Sequence, residues 1–356
     1  MNLITAWFKR TFSDPQVITL TLALLVGFAV LFFFGAMLAP VLASLVIAYL
    51  LEGLVSLAEG SGMPRLVAVV IVFLLFIMFV ILIIFGVMPL AFQQLTELVQ
   101  QTPSMLAAGQ ERLMKLPELY PDLVDSNQIT DLINVIKAEM ASFAQRVLSL
   151  SASSVVGLIT ILVYFILVPL LVFFFLKDKS IIISWLLQYF PSNRGIVDQV
   201  WKDVDVQIAN YVRGKFWEIT IVGVVSYITF TFFGLNYALL LAVLVGLSVI
   251  IPYIGAAVVT VPVLIVAWFQ WGWGGAFIYL TIAYFIIQAL DGNALVPLLF
   301  SEVVNLHPVA IIVSILLFGG LWGFWGVFFA IPLGTLVKAV LTAWPRRPER
   351  EAAASS

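Results

Sequence analysis

The sequence predicts an all-α polytopic membrane protein, with broken or re-entrant helices in its C-terminal half and a small helical domain outside the membrane. Three observations carry that prediction. Of 356 residues, 63% are hydrophobic and 10% charged, against about 45–50% apolar and about 25% charged in a soluble domain. The apolar residues gather into runs that approach the roughly 20 residues a helix needs to cross a bilayer core. Past Phe216 these runs are interrupted by Gly/Pro clusters, as simple spans are not.

The same composition excludes several function classes. The net charge is -2 and the basic residues form no stripe, so no nucleic acid is expected as partner. No cysteine and a single histidine occur, which excludes disulfides, thiolate metal sites, cysteine nucleophiles and iron-sulfur ligation. No metal and no cofactor are expected. There is no GxxxxGK[ST] loop for ATP, no HExxH or GxSxG, and Asp291 has no acid partner for a catalytic dyad. An enzyme is therefore not expected, and the partners are a lipid bilayer and a small-molecule or ion substrate.

Residues 1–90 read as N-terminal transmembrane helices. Lys9 and Arg10 precede a run that is long enough to span and lacks a small-x-small cleavage site, so the first helix is expected to stay attached. Gln16–Phe34 is followed by Met37–Leu51, which is short for a span. It is either a half-helix or a helix extended by its polar end around Tyr49 and Glu52. Glu52–Pro64 reads as a loop, and Leu66–Met88 as a span that Pro89 stops.

Residues 91–154 change character, with Gln, Glu and Pro replacing the apolar runs. Ile129, Leu132, Ile133, Ile136, Met140, Phe143 and Val147 recur at helical spacing behind a start signal at Asp125-Ser126-Asn127. This is a helical extracytoplasmic domain whose stripe is a core face. Residues 155–176 span again. Residues 177–215 form cytoplasmic amphipathic helices, with Trp201, Val204, Ile208, Tyr211, Val212 and Lys215 on one face, packed on the bundle or lying at the interface. Lys9, Arg10, Arg346, Arg347, Arg350 and the basic segment around Lys177 place both termini inside.

Residues 216–344 form a transmembrane core, and 345–356 a polar tail. Two stretches of the core look alike. Asn236, an apolar run, the break Pro252-Tyr253-Ile254-Gly255 and Pro262 parallel Asn305, another apolar run, the glycines Gly319 to Gly326 and Pro332. Paired Gly/Pro-interrupted segments point to a transport site between structural repeats. Between them lies Gln288-Ala-Leu-Asp291-Gly-Asn293, an acid and two carboxamides in apolar surroundings. An Asp at the centre of a membrane helix costs about 2.5–3.5 kcal/mol unless a cavity or the bundle interior receives it.

The transport-pathway candidates are therefore Gln288, Asp291, Asn293, Pro252, Tyr253, Gly255, Gly320, Gly323, Gly326 and His307. Asp291 reads either as a proton or cation site or as the cap of a helix beginning near Gly292; the two are compatible. The Pro252 and Gly323 regions read either as unwound backbone facing protein or water or as close helix packing through small residues. His307 precedes Pro308 and suits an extended residue at a helix start, or a proton relay. Tyr253 and Gln270 are polar lining, Arg213 and Lys215 inside anchors, and Lys338 and Glu302 interfacial residues.

Taken in order, Tyr211-x-Arg213-Gly-Lys215, Ile251-Pro-Tyr-Ile-Gly255 with Pro262, Gln288-x-x-Asp291 with Pro297, Leu306-His-Pro308 and Gly320 through Gly326 to Pro332 resemble the autoinducer-2 exporter (AI-2E) family over nearly the whole chain. Within that family, the run Phe318 to Pro332 and Ser13-Asp-Pro15 are most similar to the PerM-type permeases. The resemblance implies about eight membrane-spanning segments, a bacterial inner membrane and a homo-oligomer, with a pentamer as one candidate. Some relatives are associated with export of autoinducer-2 and others with exchange of sodium or lithium for protons. The expected function is a secondary transporter or exporter of a small solute. A monovalent cation/proton antiporter and a non-transporting assembly or regulatory protein are the alternatives.

Overall fold

The computed structural model describes residues 15–35, 37–113, 155–189, 195–300 and 306–343, with isolated residues between 130 and 145. Among the described residues every element is a helix and there is no strand. In chain order they are α1 (Pro15–Phe34), α2 (Ala39–Gly60), α3 (Arg65–Leu82), a π-helical turn (Ile83–Val87), α4 (Met88–Leu113), α5 (Val155–Lys177), α6 (Lys179–Leu187) and α7 (Gly195–Phe233). Then follow α8 (Ala238–Ser248), α9 (Ile254–Trp271), α10 (Gly275–Leu290), a second π-helical turn (Asp291–Leu295), α11 (Val296–Phe300), α12 (Pro308–Phe328) and α13 (Ala330–Ala343).

Six of the described helices are long and apolar enough to cross a membrane: Ala39–Gly60, Arg65–Met105, Val204–Phe233, Ile254–Trp271, Gly275–Phe300 and Pro308–Phe328. Thr21–Phe34, Val163–Lys177 and Ala238–Ser248 are shorter apolar helices. The chain is an all-α polytopic membrane protein.

Several boundaries differ from those expected, each for a local physical reason. Glu52–Pro64 is not a loop, because α2 continues to Gly60. Its mid-helix acid is paired: Glu52 carboxylate oxygens take Arg65 Nη2 at 3.2 Å and Lys179 Nζ at 3.0 Å, which offsets the cost of a charge in an apolar helix. Pro89 does not stop the next helix. A prolyl ring lacks an N–H and clashes with the carbonyl four residues back, but here a π-helical turn inserts a residue just before it, and Met88 N–H donates to Ile83 O. The helical run thus continues through Pro89 into α4, so the first residues of the expected 91–154 domain belong to a long helix. Most of the rest of that segment, including the Ile129 to Val147 stripe, lies outside the described residues.

Residues 195–233 form one helix of 39 residues, so the expected boundary between 215 and 216 falls inside α7. Lys215, expected as an inside anchor, is a buried side chain. It is 4% exposed, its Nζ lying 5.3 Å from the Phe300 ring centroid, an arrangement in which the ring face partly replaces water around the ammonium.

The chain divides into two compact units. One comprises Leu74–Ile166 and Trp217–Val296, the other Met1–Phe73, Leu167–Phe216 and Pro297–Ser356. In the first, the core is built from α7, α8, α9 and α10 around fully buried Phe230, Leu241, Val245, Val263, Leu280 and Tyr284. Here α7 and α8 approach backbone to backbone: a Cβ on Gly246 would lie 2.9 Å from Ile219 O and 3.1 Å from Gly223 Cα. Small residues are the usual means of such contact in membranes, where van der Waals packing replaces the hydrophobic drive between helices.

In the second unit, Tyr49 Oη donates to Asp205 at 2.5 Å, and Arg65 reaches Glu52, Glu59 and the Leu176 carbonyl. Gly53 faces the Arg213 guanidinium and Gly214 faces the Phe300 ring; a Cβ would meet them at 2.9 Å and 2.7 Å. The Tyr211-x-Arg213-Gly-Lys215 motif is thus a packing surface.

Candidate transport site

Each unit contains a helical hairpin with an irregular reversal, and the two sequence segments that look alike are these hairpins. In the first, α8 and α9 are joined by a reversal at Pro252–Tyr253. Tyr253 has φ 64 and ψ -50, and Ile254 N–H donates to Pro252 O at 2.7 Å. This is a γ-turn of the rare, strained positive-φ kind, held by a non-glycine residue whose side chain is 64% exposed. Two residues later the arms close: a Cβ on Gly255 would fall on the Ser248 carbonyl oxygen. Only glycine fits there.

The base of this hairpin is clamped. Gly234 and Tyr237 both take positive φ, and Gln270, at the far end of α9, ties the turn between them. Its Nε2 donates to Gly234 O at 2.7 Å and its Oε1 accepts from Asn236 N at 2.8 Å. Gln94 of α4 adds an acceptor for the Leu240 N–H at 2.9 Å, one of the amides a helix start leaves without an internal partner. Gln270, expected as polar lining, is therefore a structural clamp. A short turn from Trp271 to Gly275, with Gly272 at φ 63, joins α9 to α10.

In the other unit the reversal is at Gly323, with φ 58 and ψ -132 inside α12. The stretch counts as one span by length and composition, yet the positive φ and the close approach across it show a fold-back. A Cβ on Gly326 would fall on Phe318 O, one on Gly319 would meet Val327 Cγ2 at 2.8 Å, and one on Gly334 would meet Ser314 Oγ at 2.6 Å. Gly320 is different: nothing lies within 4 Å of its Cβ position. Tyr211 Oη donates to Phe328 O at 3.1 Å, holding the returning arm. His307 is extended, and its Nδ1 accepts from Val309 N–H at 3.3 Å, so it caps the start of α12.

The Gln288 to Asn293 cluster lies in the same unit as the Pro252 hairpin. Asp291 opens the π-helical turn, and its backbone is helical, with φ -58 and ψ -59. The separate helix expected to begin near Gly292 is absent: α10 passes through the turn into α11 without a break, so Asp291 lies inside a continuous helical run. The π-helical turn, a feature frequent at functional sites, was not legible from composition. Gln288 and Asp291 are half-buried and Asn293 is exposed.

Two residues that sequence reasoning passed over organise the cluster. Tyr284 is fully buried; its Oη lies 2.9 Å from Thr260 Oγ1 and accepts from Gln288 Nε2 at 3.0 Å. Thr260 Oγ1 in turn donates to Ala256 O at 2.7 Å, beside the hairpin reversal. The Thr260/Tyr284 pairing ties the first half of α9 to the second half of α10. A hydroxyl on each of two adjacent apolar helices was the only signal in the sequence. Likewise Glu218, 2% exposed inside α7, was visible only as an acid three residues beyond Lys215.

Residues 3–346 match the family described as AI-2E family transporter. The chain belongs to the AI-2E family. It is 49% identical over 345 residues to "Putative permease PerM" of Escherichia coli (strain K12), across 97% of this chain and 98% of that one. It is 28% identical over 308 residues to "Putative transport protein YrrI" of Bacillus subtilis (strain 168), across 85% of each. A Thermotoga maritima "Putative transport protein" is 24% identical over 333 residues. An AI-2E membrane transporter is thus the setting in which the two hairpins and the π-helical turn have to be understood.

Proposed function

We propose that the chain is a secondary transporter that moves a small solute across the bacterial inner membrane, by alternating access around its two hairpins. The observation that carries this reading is the pair of reversals at Tyr253 and Gly323, each inside an apolar segment and each closed by a glycine against a carbonyl. The arm α8, of 11 residues, is about 17 Å long and too short to cross the roughly 30 Å hydrocarbon core, although the returning arm α9 is 18 residues long. A chain that enters at Asn236 and reverses at Pro252 therefore turns back within the membrane. Irregular backbone is tolerated at that depth only against protein or a water-filled cavity.

The exposed stretch Gly292–Ala294, in the middle of an otherwise apolar span, supports the same reading. Lipid is a poor neighbour for Asn293, so a water-lined pathway or a second copy of the chain covers it. Homo-oligomerisation and both termini on the cytoplasmic side complete the proposal, the latter from the basic residues at both ends and around Lys177.

The test is a proteoliposome flux screen of small solutes and monovalent ions, with and without a pH gradient, on the parent and on Asp291→Asn. The proposal expects gradient-driven flux in the parent and its loss or altered coupling in the variant. If the parent moves nothing under any gradient, the non-transporting alternative replaces it.

A further inference from the structure

Between the apolar helix α5 and the long helix α7 stands a short one, α6, to which the transport reading gives no role. It follows α5 after a single residue, Asp178, and α5 carries no charge between Val155 and Leu176. From the way its residues divide around its axis, we propose that α6 is a membrane-surface helix. It lies in the boundary between headgroups and acyl chains of a phospholipid bilayer, with Ile181, Trp185, Leu186 and Tyr189 turned to lipid. The proposal stands apart from the transport reading, since it requires only a bilayer.

Successive residues of a helix turn by about 100°, and on that spacing α6 splits into three sides. Ser180, Ser184 and Gln188 make one, exposed and polar. Lys179, Ile183 and Leu187 make a second, all half-buried, and from it Lys179 Nζ reaches the Glu52 carboxylate of α2 at 3.0 Å. Ile181, Trp185 and Leu186 make the third, exposed and apolar, with half-buried Ile182 among them. Exposed Tyr189, just past the helix, joins this side through its edge-on ring contact with Trp185, the centroids 5.3 Å apart.

A helix packed into the bundle buries its apolar side, and a helix within the hydrocarbon does not present Ser184 and Gln188 outward. Protein on one side, water on the second and lipid on the third is the arrangement of a helix lying in the interface plane. The adjoining turns of α5 agree. Leu170 and Phe174 are exposed there, so apolar surface runs up to exposed Lys177, whose Nζ lies 5.9 Å from the Phe174 ring centroid. A lysine stem on apolar surface with its ammonium at the headgroups is the usual end of a span, and Trp and Tyr favour the same level. Charge does not select the lipid, because Arg65, Lys177 and Lys179 are matched by Glu52, Glu59 and Asp178. Burial of the apolar side holds α6, and a zwitterionic lipid suffices.

The chain has no cysteine, so single-cysteine variants of the full-length protein take a nitroxide label without background. Ile181→Cys and Leu186→Cys probe the lipid side, Ser184→Cys and Gln188→Cys the water side, and Leu170→Cys the bilayer interior. All five are exposed positions, and the Trp185–Tyr189 pair is kept. In phosphatidylcholine nanodiscs, relaxation of each label by oxygen, which concentrates in lipid, is compared with relaxation by a water-soluble nickel chelate.

The proposal expects the labels at Ile181 and Leu186 about 5–10 Å below the phosphates, the label at Leu170 deeper, and those at Ser184 and Gln188 open to the nickel chelate. The same depths are expected when phosphatidylglycerol is added. Equal nickel access at all four α6 positions overturns the proposal by placing α6 in water. Oxygen dominance at all four overturns it by making α6 a continuation of the span, and shielding of Ile181 and Leu186 from both reagents does so by placing protein on that side. Depths reached only with phosphatidylglycerol also overturn it, since charge would then hold the helix.

Discussion

Gly255 and Ser248 approach so closely across the Pro252 reversal that a Cβ on the glycine would coincide with the serine carbonyl oxygen. No rotamer relieves such a clash, since both partners are backbone. Gly255→Ala is expected to destabilise the protein by about 3 kcal/mol, the upper range for forced overpacking, and Gly326→Ala by a similar amount against Phe318 O. Gly320→Ala is the control. With nothing near its Cβ position, it should gain up to about 1 kcal/mol of helix propensity. Thermal unfolding of the purified variants in detergent checks all three.

Gly323 is required for a different reason. Space around it is open, but its φ of 58 and ψ of -132 lie outside the regions a Cβ allows. Gly323→Ala should cost about 1–3 kcal/mol as torsional strain, with no compensation from shortening neighbouring side chains. Combining it with Val327→Ala, whose side chain faces Gly319 and not Gly323, is expected to recover none of the loss in the same unfolding assay.

The glycines that close the hairpins were legible in the sequence because glycine and proline are the residues that let a chain leave helical geometry inside an apolar run. The resemblance to the AI-2E family was legible from the order of several short motifs. Helix continuity was not. Pro89 and the residues from Glu52 to Gly60 look like punctuation, and only a π-helical turn and the pairing of Glu52 with Arg65 and Lys179 reveal them as helix interior. The same limitation hid the π-helical turn at Asp291, because an extra residue in a helix leaves no compositional mark. Thr260 and Tyr284 were missed since an isolated hydroxyl in a membrane helix is ordinary; their meaning comes from the cross-helix register. The clamp role of Gln270 and the burial of Lys215 were not legible either, because hydrogen-bond partners and packing, not residue type, decide them.

Glu52 gathers Arg65 and Lys179 in one unit, with side-chain exposures of 14%, 33% and 42%. Both cations are partly hydrated, which limits what the pairs contribute. Glu52→Gln is expected to lower stability by about 1–2 kcal/mol, and Lys179→Met by less than half as much, because Arg65 still holds the carboxylate. Unfolding midpoints of the two variants and the double variant check this order.

Gln270 makes two hydrogen bonds that close the turn at the base of the Pro252 hairpin. Gln270→Leu removes both and leaves the Asn236 N–H and Gly234 carbonyl to water, at a cost of about 1–2 kcal/mol. Because Gly234–Asn236 is a surface turn, the change should appear first as faster amide exchange at residues 234–240, before any shift in the global unfolding midpoint.

The central claim is that both reversals lie at membrane depth beside water. The chain contains no cysteine, so single cysteines can be placed without a background. Tyr253→Cys and Gly323→Cys, in membranes of intact cells and of inverted vesicles, are probed with a charged, membrane-impermeant thiol reagent. The account predicts labelling at both positions, and protection or a change of rate when a transported solute or a gradient is applied, with Leu298→Cys on the exposed apolar face unlabelled. Failure of both hairpin cysteines to react from either side, while a denatured sample reacts fully, would contradict it.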